Sequence, residues 1–296
     1  MVTRQVSANA CCSQKNFGQG FTKGPSLSLY VPVTLYLDSS TDLSSIVKEN
    51  FQSLHTNKSN SQRLMLTGLH TCGSLGSSVL KVFTENPSVS VLNCVSCCYH
   101  WMEEEFVDSP FLDAGESNPG PSFPMSSFLK QQKIGLGRTA RNLASQSIER
   151  LVMEKTLQGK KFYQRALLQV IIRDLTGTTS GSWTGLRKLD QRCKDTYDYV
   201  TQAFKKLGIS EQKITAEFIK DYCDTYREEE KRLASFFQLR ASLAPCIESI
   251  VLLDRVCYLL EQDTVEDVKL VRLFDPVISP RCYGIIALKK ASPQDH

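Results

Sequence analysis

The chain has 296 residues, of which 41% are hydrophobic and 22% are charged, and its formal net charge is +4. This length and composition predict a protein with a substantial core. No apolar run approaches the roughly 18 residues of a membrane span, so we expect no transmembrane helix. The first residues lack the apolar region of a secretory signal, so we expect no signal peptide.

The amino-terminal part of the chain has few structural signals. Residues 1–28 are polar and without periodicity, so we expect disorder there. Tyr30–Leu37 is rich in β-branched and aromatic residues and predicts a strand, which Pro32 restricts to a sheet edge or a strand start. Asp42–Leu54 then predicts a helix.

The next segment predicts a βαβ unit. Arg63–Leu69 and Val89–Ser96 are apolar, strand-like runs, and Ser74–Thr84 between them has apolar residues at near-helical spacing. The two strands should therefore be parallel neighbours. The loops that follow them, 68–73 and 97–100, should leave the same edge of the sheet, where open α/β sheets bind ligands.

The rest of the chain predicts helices and then a return to strands. Residues 125–265 are mostly helical, and Pro245 suits the first turn of a helix. Val268–Phe274 and Cys282–Leu288 predict an antiparallel hairpin. A parallel βαβ unit followed by an antiparallel hairpin resembles the end of a Rossmann-like class I methyltransferase sheet. The expected fold class is therefore α/β: a partial sheet of that kind, made of the later strands and the hairpin, with a large helical insertion.

These signals divide the chain into six segments. They are a disordered segment 1–28, a partial core with the βαβ unit 29–107, a Pro/Gly/Ser-rich loop 108–124, a helical region 125–265, a hairpin that completes the sheet 266–290, and a tail 291–296.

Charge and cysteine content favour an intracellular protein with a basic middle segment. Residues 130–206 carry 16 Lys and Arg against 6 Asp and Glu. Such a segment either faces phosphate or an acidic surface, or consists of solvated helix faces, and the even spread of the charges favours the second interpretation. The chain has 11 cysteines, several of them within apolar runs, which is typical of reduced thiols in the cytoplasm or nucleus.

Several motifs together identify a family. They are LTGLHTCGSL (66–75), CCYHWMEEEF (97–106), FPMSSFLK (123–130), FYQRALLQVIIRD (162–174), LAPCIESIVLLDRVCYLLEQ (243–262) and LFDPVISPRCYGIIALKK (273–290). They resemble the methyltransferase-like protein 25 family, in its C-terminal half. The resemblance implies a class I fold that uses S-adenosylmethionine and transfers a methyl group to RNA or protein. The paired HxCG and CC motifs also resemble, more weakly, tRNA 2′-O-methyltransferases.

The resemblance implies a cofactor, but the usual cofactor-binding elements are not recognisable. Class I enzymes hold S-adenosylmethionine with a Gly-rich loop after the first strand and an acidic residue at the end of the second. Phe17–Gly24 contains glycines without a preceding strand, and Gly135–Gly137 lies between helical segments. We therefore expect a truncated relative without the Gly-rich loop, with S-adenosylmethionine binding weakened by orders of magnitude, and inactive alone. The cofactor-binding residues stay unassigned.

Four residues at the predicted edge are candidates for catalysis. His70 and Cys72 follow the first strand of the βαβ unit, and Cys98 and His100 follow the second. An imidazole or a thiol there could orient or deprotonate the methyl acceptor. The structural alternative is a tight loop in which His70 bonds to backbone and Cys72 is a small buried side chain.

The same loops raise the question of a metal. Zn²⁺ takes four cysteine or histidine ligands, and Cys97 adds a further thiol to this edge. However, the spacing is not that of a zinc finger or ribbon, and the adjacent Cys97 and Cys98 point to opposite sides if the strand stays extended. The interpretation without a metal is favoured.

Other polar and aromatic residues have two interpretations each. Tyr99 and Trp101 either stack on a base or, as we expect, pack the loop. Arg138 and Arg141 share a predicted helix face and either bind phosphate or face solvent. We also expect a buried polar contact from Asp254 and Arg255, and a bond from Arg281 to a carboxylate or carbonyl group.

Two functions are compatible with the sequence, and a third interpretation is a fragment without a function of its own. The first is an S-adenosylmethionine-dependent methyltransferase-like protein that acts on RNA or protein. The alternative is a non-catalytic binding or scaffold module derived from a methyltransferase. A Gly-rich strand–loop–helix upstream of the βαβ unit would favour the first function.

Overall fold

The computed structural model describes residues 32–50, 63–106, 121–153, 159–177, 186, 189, 192–210 and 212–291. The strands are β1 (Leu64–Cys72), β2 (Val89–Cys97), β3 (Val265–Arg272) and β4 (Tyr283–Lys289). The helices are α1 (Leu43–Asn50), α2 (Leu75–Glu85), α3 (Ser127–Gln131), α4 (Gly137–Leu143), α5 (Ile148–Met153), α6 (Gly159–Thr176), α7 (Thr196–Leu207), α8 (Ala216–Thr225) and α9 (Arg227–Leu260).

The four strands form one mixed sheet in the order β1-β2-β4-β3. β1 and β2 are parallel, as predicted for the βαβ unit. β4 lies between β2 and β3 and is antiparallel to both, which confirms the predicted hairpin. β1, β2 and β3 therefore run in one direction and β4 runs in the other, in an α/β, Rossmann-like arrangement.

The βαβ unit forms because α2 buries one apolar face against the sheet. Its Val79, Leu80 and Phe83 are buried at the spacing of a helix face. The helix ends where Asn86 leaves the helical conformation, and the Asn86 side chain donates to the Val82 carbonyl oxygen at 2.9 Å. Pro87 follows and cannot continue the helix.

The core around the sheet combines α2, the strands and the carboxyl-terminal part of α9. Its buried members are Val79, Leu80, Phe83, Val89, Leu92, Cys94, Met125, Leu252, Leu259, Val265, Ile285 and Ala287. This core holds β2 through the buried Val89, Leu92 and Cys94, and β1 packs against it through the partly buried Leu64 and Leu66.

The chain divides into two compact units, of which the first comprises residues 1–146 and 245–296 and the second residues 147–244. The second unit has its own apolar core, formed by α6, α7, α8 and neighbouring residues. Asp195 caps α7 by accepting from the Asp198 N–H at 2.8 Å, and Gly208 ends that helix with a φ of 66°.

Two local predictions are wrong. Residues 32–38 are irregular and make no ladder with any described strand, and Pro32 has no N–H to donate to one. Pro245 does not begin a helix but lies inside the continuous α9, where the Ala241 carbonyl loses its usual donor. The predicted disordered segment 1–28, most of the loop 108–124 and most of the tail 291–296 lie outside the described residues.

Within the described residues, no helix has the length and apolar character needed to cross a bilayer.

Candidate functional site at the carboxyl edge of β1 and β2

The loops that follow β1 and β2 lie against each other, as the parallel arrangement predicts. The Gly73 N–H donates to the Cys97 carbonyl oxygen at 3.2 Å. Gly73 has a φ of 56°, and a Cβ added to it would lie 2.8 Å from the Trp101 carbonyl oxygen. Only glycine therefore allows this approach of the two backbones.

Three thiols meet at this edge. Cys72 and Cys97 are partners in the β1–β2 ladder, and their Sγ atoms lie 2.9 Å apart. Cys98 adopts the left-handed conformation, with φ 51° and ψ 47°, so the chain is no longer extended there. The Sγ atoms of Cys72, Cys97 and Cys98 consequently lie within 4.8 Å of one another. Cys97 and Cys98 were expected to point to opposite sides only if the strand stayed extended, and the chain is not extended at Cys98.

The Cys97 thiol is the most deeply placed of the three. Burial raises the pKa of Cys97 far above its ordinary value, and the neighbouring Cys72 and Cys98 thiols raise it further. Without a cation nearby, Cys97 therefore stays protonated at neutral pH.

His70 is held outside the thiol group by an irregularity in β1. Its φ is 64°, and the ladder to β2 shifts register between Leu69 and Thr71. The His70 side chain is exposed, whereas Thr71 is buried and donates to the Val95 carbonyl oxygen at 3.1 Å. The extra residue thus turns His70 toward solvent and Thr71 toward the core.

His100 lies in the short 3₁₀ turn Tyr99–Trp101 at the same edge. Its Nδ1 atom is buried and has no hydrogen-bond partner among the described residues. Burial lowers the pKa of His100, and the positive charges of Arg138 and Arg141 lower it further. His100 is therefore neutral at pH 7 and able to accept a proton. Neither His70 nor His100 joins the group of three thiols within the described residues.

The two aromatic residues of the turn have opposite environments. Tyr99 is buried and donates to Glu248 Oε1 at 2.9 Å, which confirms its expected packing role. Trp101 is 59% exposed, so the packing expected of it is wrong. Its ring makes an edge contact with His100, with a centroid distance of 5.8 Å. An indole at the edge of the site is thus accessible to a planar ligand.

Glu104 already occupies the glycine-containing loop before α4. Its Oε2 atom accepts from the N–H groups of Leu136 and Gly137 at 2.8 and 3.0 Å. Arg141 forms an ion pair with Glu104 and donates to the Tyr99 carbonyl oxygen. These donors bind a carboxylate of the chain itself, so this loop does not present them to a nucleotide.

The environment of the two arginines on α4 also decides between their predicted roles. Arg141 is buried and engaged with Glu104 and backbone carbonyl groups, so both predicted roles, phosphate binding and a solvated face, are wrong for it. Arg138 is exposed on the same helix, and its charge reaches His100.

The predicted polar contact of α9 is present, but its two members bind different groups. Asp254 accepts from the Met125 and Ser126 N–H groups at 2.7 and 2.9 Å. Arg255 is 1% exposed and donates to Ser96 Oγ. A Cβ added to Gly76 would lie 2.8 Å from Arg255 Nη1, so α2 leaves room for this guanidinium.

A sequence profile described as a methyltransferase domain matches residues 34–105. The chain is 38% identical over 269 residues to the mouse (Mus musculus) protein described as probable methyltransferase-like protein 25, and 36% identical to the human (Homo sapiens) protein of that description. Both alignments cover 91% of this chain, but only 43% and 42% of the respective relatives. No solved structure matches this chain. The chain is similar to methyltransferase-like protein 25. The resemblance read from the motifs is confirmed.

The methyltransferase-domain match ends at residue 105 and includes both loops of the edge. Sequence reasoning found the thiols and imidazoles of this methyltransferase-like region, but it missed Glu104 and the contact of Arg255 with Ser96. A charged residue in the apolar run of α9 was the only signal for Arg255. The sequence held no signal for the role of Glu104, because its partners lie 32 and 33 positions away.

Proposed function

We propose that this chain carries the acceptor side of an S-adenosylmethionine-dependent methyltransferase site at the carboxyl edge of β1 and β2, with RNA as the acceptor. The main support is that the methyltransferase-domain match covers the βαβ unit that forms this edge. Ligands of open α/β sheets bind at such an edge. Because the chain spans less than half of its relatives, the activity of the whole protein is part of the proposal.

The choice of RNA is supported by the side chains around the edge. The exposed Trp101 indole offers a surface on which a base can stack. The exposed Arg138 adds positive charge at this turn, since its charge acts on His100 beside the Trp101 ring. Stacking combined with positive charge is typical of single-stranded RNA binding.

Among the four residues predicted to be catalytic, His100 fits best the role of proton acceptor. Its lowered pKa keeps the imidazole neutral, and it lies beside the exposed Trp101 ring. His70, exposed at the end of β1, is proposed to contact the acceptor from the other loop. Cys72 and Cys98 are proposed to act together with Cys97, because the three thiols form one group.

S-adenosylmethionine would supply the methyl group, but we propose that this chain binds it weakly. Among the described residues no Gly-rich strand–loop–helix precedes β1, and the N–H groups before α4 already bind Glu104. Isothermal titration should give a millimolar or weaker Kd, which is about 4 kcal/mol of binding free energy or less. A micromolar Kd would contradict this part of the proposal.

RNA binding is tested by fluorescence anisotropy with a short single-stranded RNA and the full chain. Trp101→Ala should weaken binding about tenfold, because base stacking is worth about 1–3 kcal/mol. Arg138→Gln should reduce the salt dependence of the RNA affinity, because it removes a positive charge that faces phosphate. The matched controls are Phe128→Ala, an exposed aromatic residue on α3, and Arg272→Gln, an exposed arginine on β3. Both controls should bind like the wild type.

Two results would change the assignment. Equal affinity of the Trp101→Ala and Phe128→Ala variants, or tighter binding of a basic protein than of RNA, would point to a protein acceptor. Tight RNA binding together with no detectable binding of S-adenosylmethionine at millimolar concentration would favour the non-catalytic binding module.

A further inference from the structure

We propose that Cys72, Cys97 and Cys98 bind one Zn²⁺ ion, with a fourth coordination position open toward the edge of the sheet. The three Sγ atoms lie within 4.8 Å of one another. Tetrahedral Zn–S bonds of about 2.3 Å separate two sulfur ligands by roughly 3.8 Å. The pair Cys72–Cys97, at 2.9 Å, would open slightly to admit the ion. The inference does not depend on methyl transfer.

The position of Cys98 favours a metal over a Cys72–Cys97 disulfide. A disulfide needs two thiols, which the ladder pairing of Cys72 with Cys97 already provides. Cys98 joins them only because it adopts a left-handed conformation, which costs a non-glycine residue about 1–2 kcal/mol. Such strain is typical of sites where the local geometry has a function. A third thiol has no use in a disulfide, but it completes a three-sulfur ligand set.

The surrounding structure holds these ligands in place. Cys72 and Cys97 lie at the ends of paired strands, and the Gly73 N–H bonds to the Cys97 carbonyl oxygen, so two ligands sit on rigid backbone. Rigid elements define a metal site more sharply than free loops do. The buried Arg255 guanidinium donates to Ser96 Oγ and so helps to fix the residue before Cys97.

Zinc binding releases the thiol protons. Three S–H bonds break and three Zn–S bonds form, and the three protons leave to solvent. Three sulfur ligands leave one tetrahedral position, which water or a ligand atom can fill. The two imidazoles nearby do not fill it, because neither joins the thiol group in the described residues.

The metal content of the purified full chain tests the proposal. After expression with added zinc and removal of loosely bound metal, elemental analysis should find about one zinc per chain. The Cys98→Ser variant should lose most of it, and so should Cys72→Ser. The control Cys246→Ser, at an exposed position on α9, should retain it. A second control, Cys11→Ser/Cys12→Ser, excludes zinc on the adjacent cysteines near the amino terminus.

Spectroscopy separates the proposal from its alternatives even where a variant folds poorly. The wild-type protein loaded with Co²⁺ should show the intense visible bands of tetrahedral cobalt thiolate, and zinc X-ray absorption should fit three sulfur neighbours and one nitrogen or oxygen. Four sulfur neighbours would contradict the open position. Equal zinc content in the wild type and Cys98→Ser, or a Cys72–Cys97 disulfide in peptide mapping of protein kept under reductant, would overturn the site. None of these readouts requires methyl transfer.

Discussion

Gly73 packs so closely against Trp101 that an added Cβ would lie 2.8 Å from the Trp101 carbonyl oxygen. The contact joins the two loops of the candidate site. Gly73→Ala should therefore lower the free energy of unfolding by about 2–4 kcal/mol, since it combines a left-handed backbone with a backbone clash. Urea denaturation measures the change.

Gly137→Ala is the matched control for this substitution. Gly137 has a φ of 76°, but apart from its own helix and chain neighbours no atom of the described residues lies within 4 Å of its added Cβ. Gly137→Ala should therefore lower the free energy of unfolding only by the cost of a left-handed backbone at a non-glycine residue, about 1 kcal/mol. Equal losses for the two variants would mean that the contact between the loops contributes nothing.

The buried contact among Tyr99, Glu248 and Arg281 should be important for stability. Arg281 donates to Glu248 Oε1 at 2.8 Å and to the Ala144 carbonyl oxygen at 3.0 Å, which confirms the bond predicted for it. Arg281→Met leaves a buried carboxylate without its cation and should cost about 3 kcal/mol in denaturant titrations. Arg281→Lys should cost less because it keeps the charge.

A double variant isolates the interaction. Adding Glu248→Gln to Arg281→Met should recover part of the loss, because the buried carboxylate is then neutral. The exposed Arg272→Met is the control and should stay within about 0.5 kcal/mol of the wild type. Additive losses from the two single substitutions would argue against a functional pair.

Asp254 should hold the segment that begins at Met125. The carboxylate accepts both the Met125 and the Ser126 N–H groups, and Ser126 Oγ donates to it at 2.6 Å. Asp254→Asn places an amide donor against one of these donors and should cost about 2–3 kcal/mol. Hydrogen exchange at the two amides should accelerate. Asp263→Asn, at an exposed position, should leave both exchange rates unchanged.

His100 should give the stability a pH dependence on the acidic side. Burial lowers its pKa below the ordinary value of 6.5, so the unfolded chain binds a proton first as the pH falls. Above pH 6.5 His100 therefore does not lower the free energy of unfolding, whereas below it this free energy decreases as the pH falls toward the lowered pKa. His100→Gln should reduce this slope.

NMR titration of the imidazole measures the same effect directly. Arg138→Gln should raise the pKa of His100, because it removes a positive charge that disfavours protonation. A His70→Gln variant assigns the second imidazole of the site. A His100 pKa at or above 6.5 in the folded wild type would contradict the neutral proton acceptor proposed here.

The elements of the sheet could be predicted because they depend on local pattern. Apolar β-branched runs at 89–96 and 282–288 predict strands without knowledge of their partners. The positive φ of His70 and the left-handed conformation of Cys98 could not be predicted, since few non-glycine residues adopt a positive φ. The grouping of three thiols follows from that conformation, so the spacing of the cysteines alone pointed away from a metal.

The long-range polar contacts were equally invisible in the sequence. Glu104 binds the N–H groups of Leu136 and Gly137 at the start of α4, and Arg141 is buried by its contact with Glu104 although its helix face looked solvated. Such partners are chosen by the tertiary packing of the loops, and no periodicity records them. The continuous passage of α9 through Pro245 has the same origin, because packing of the flanking turns overrides the local preference.

The central position of β4 has a consequence for the order in which this unit assembles on the ribosome. Residues 283–289 are translated after every other described strand, yet they pair with both β2 and β3. Until they emerge, the nascent βαβ unit has one unpaired side on β2, which is a template for wrong association. A chaperone that binds extended apolar segments would therefore have its main task in the interval before this last strand inserts.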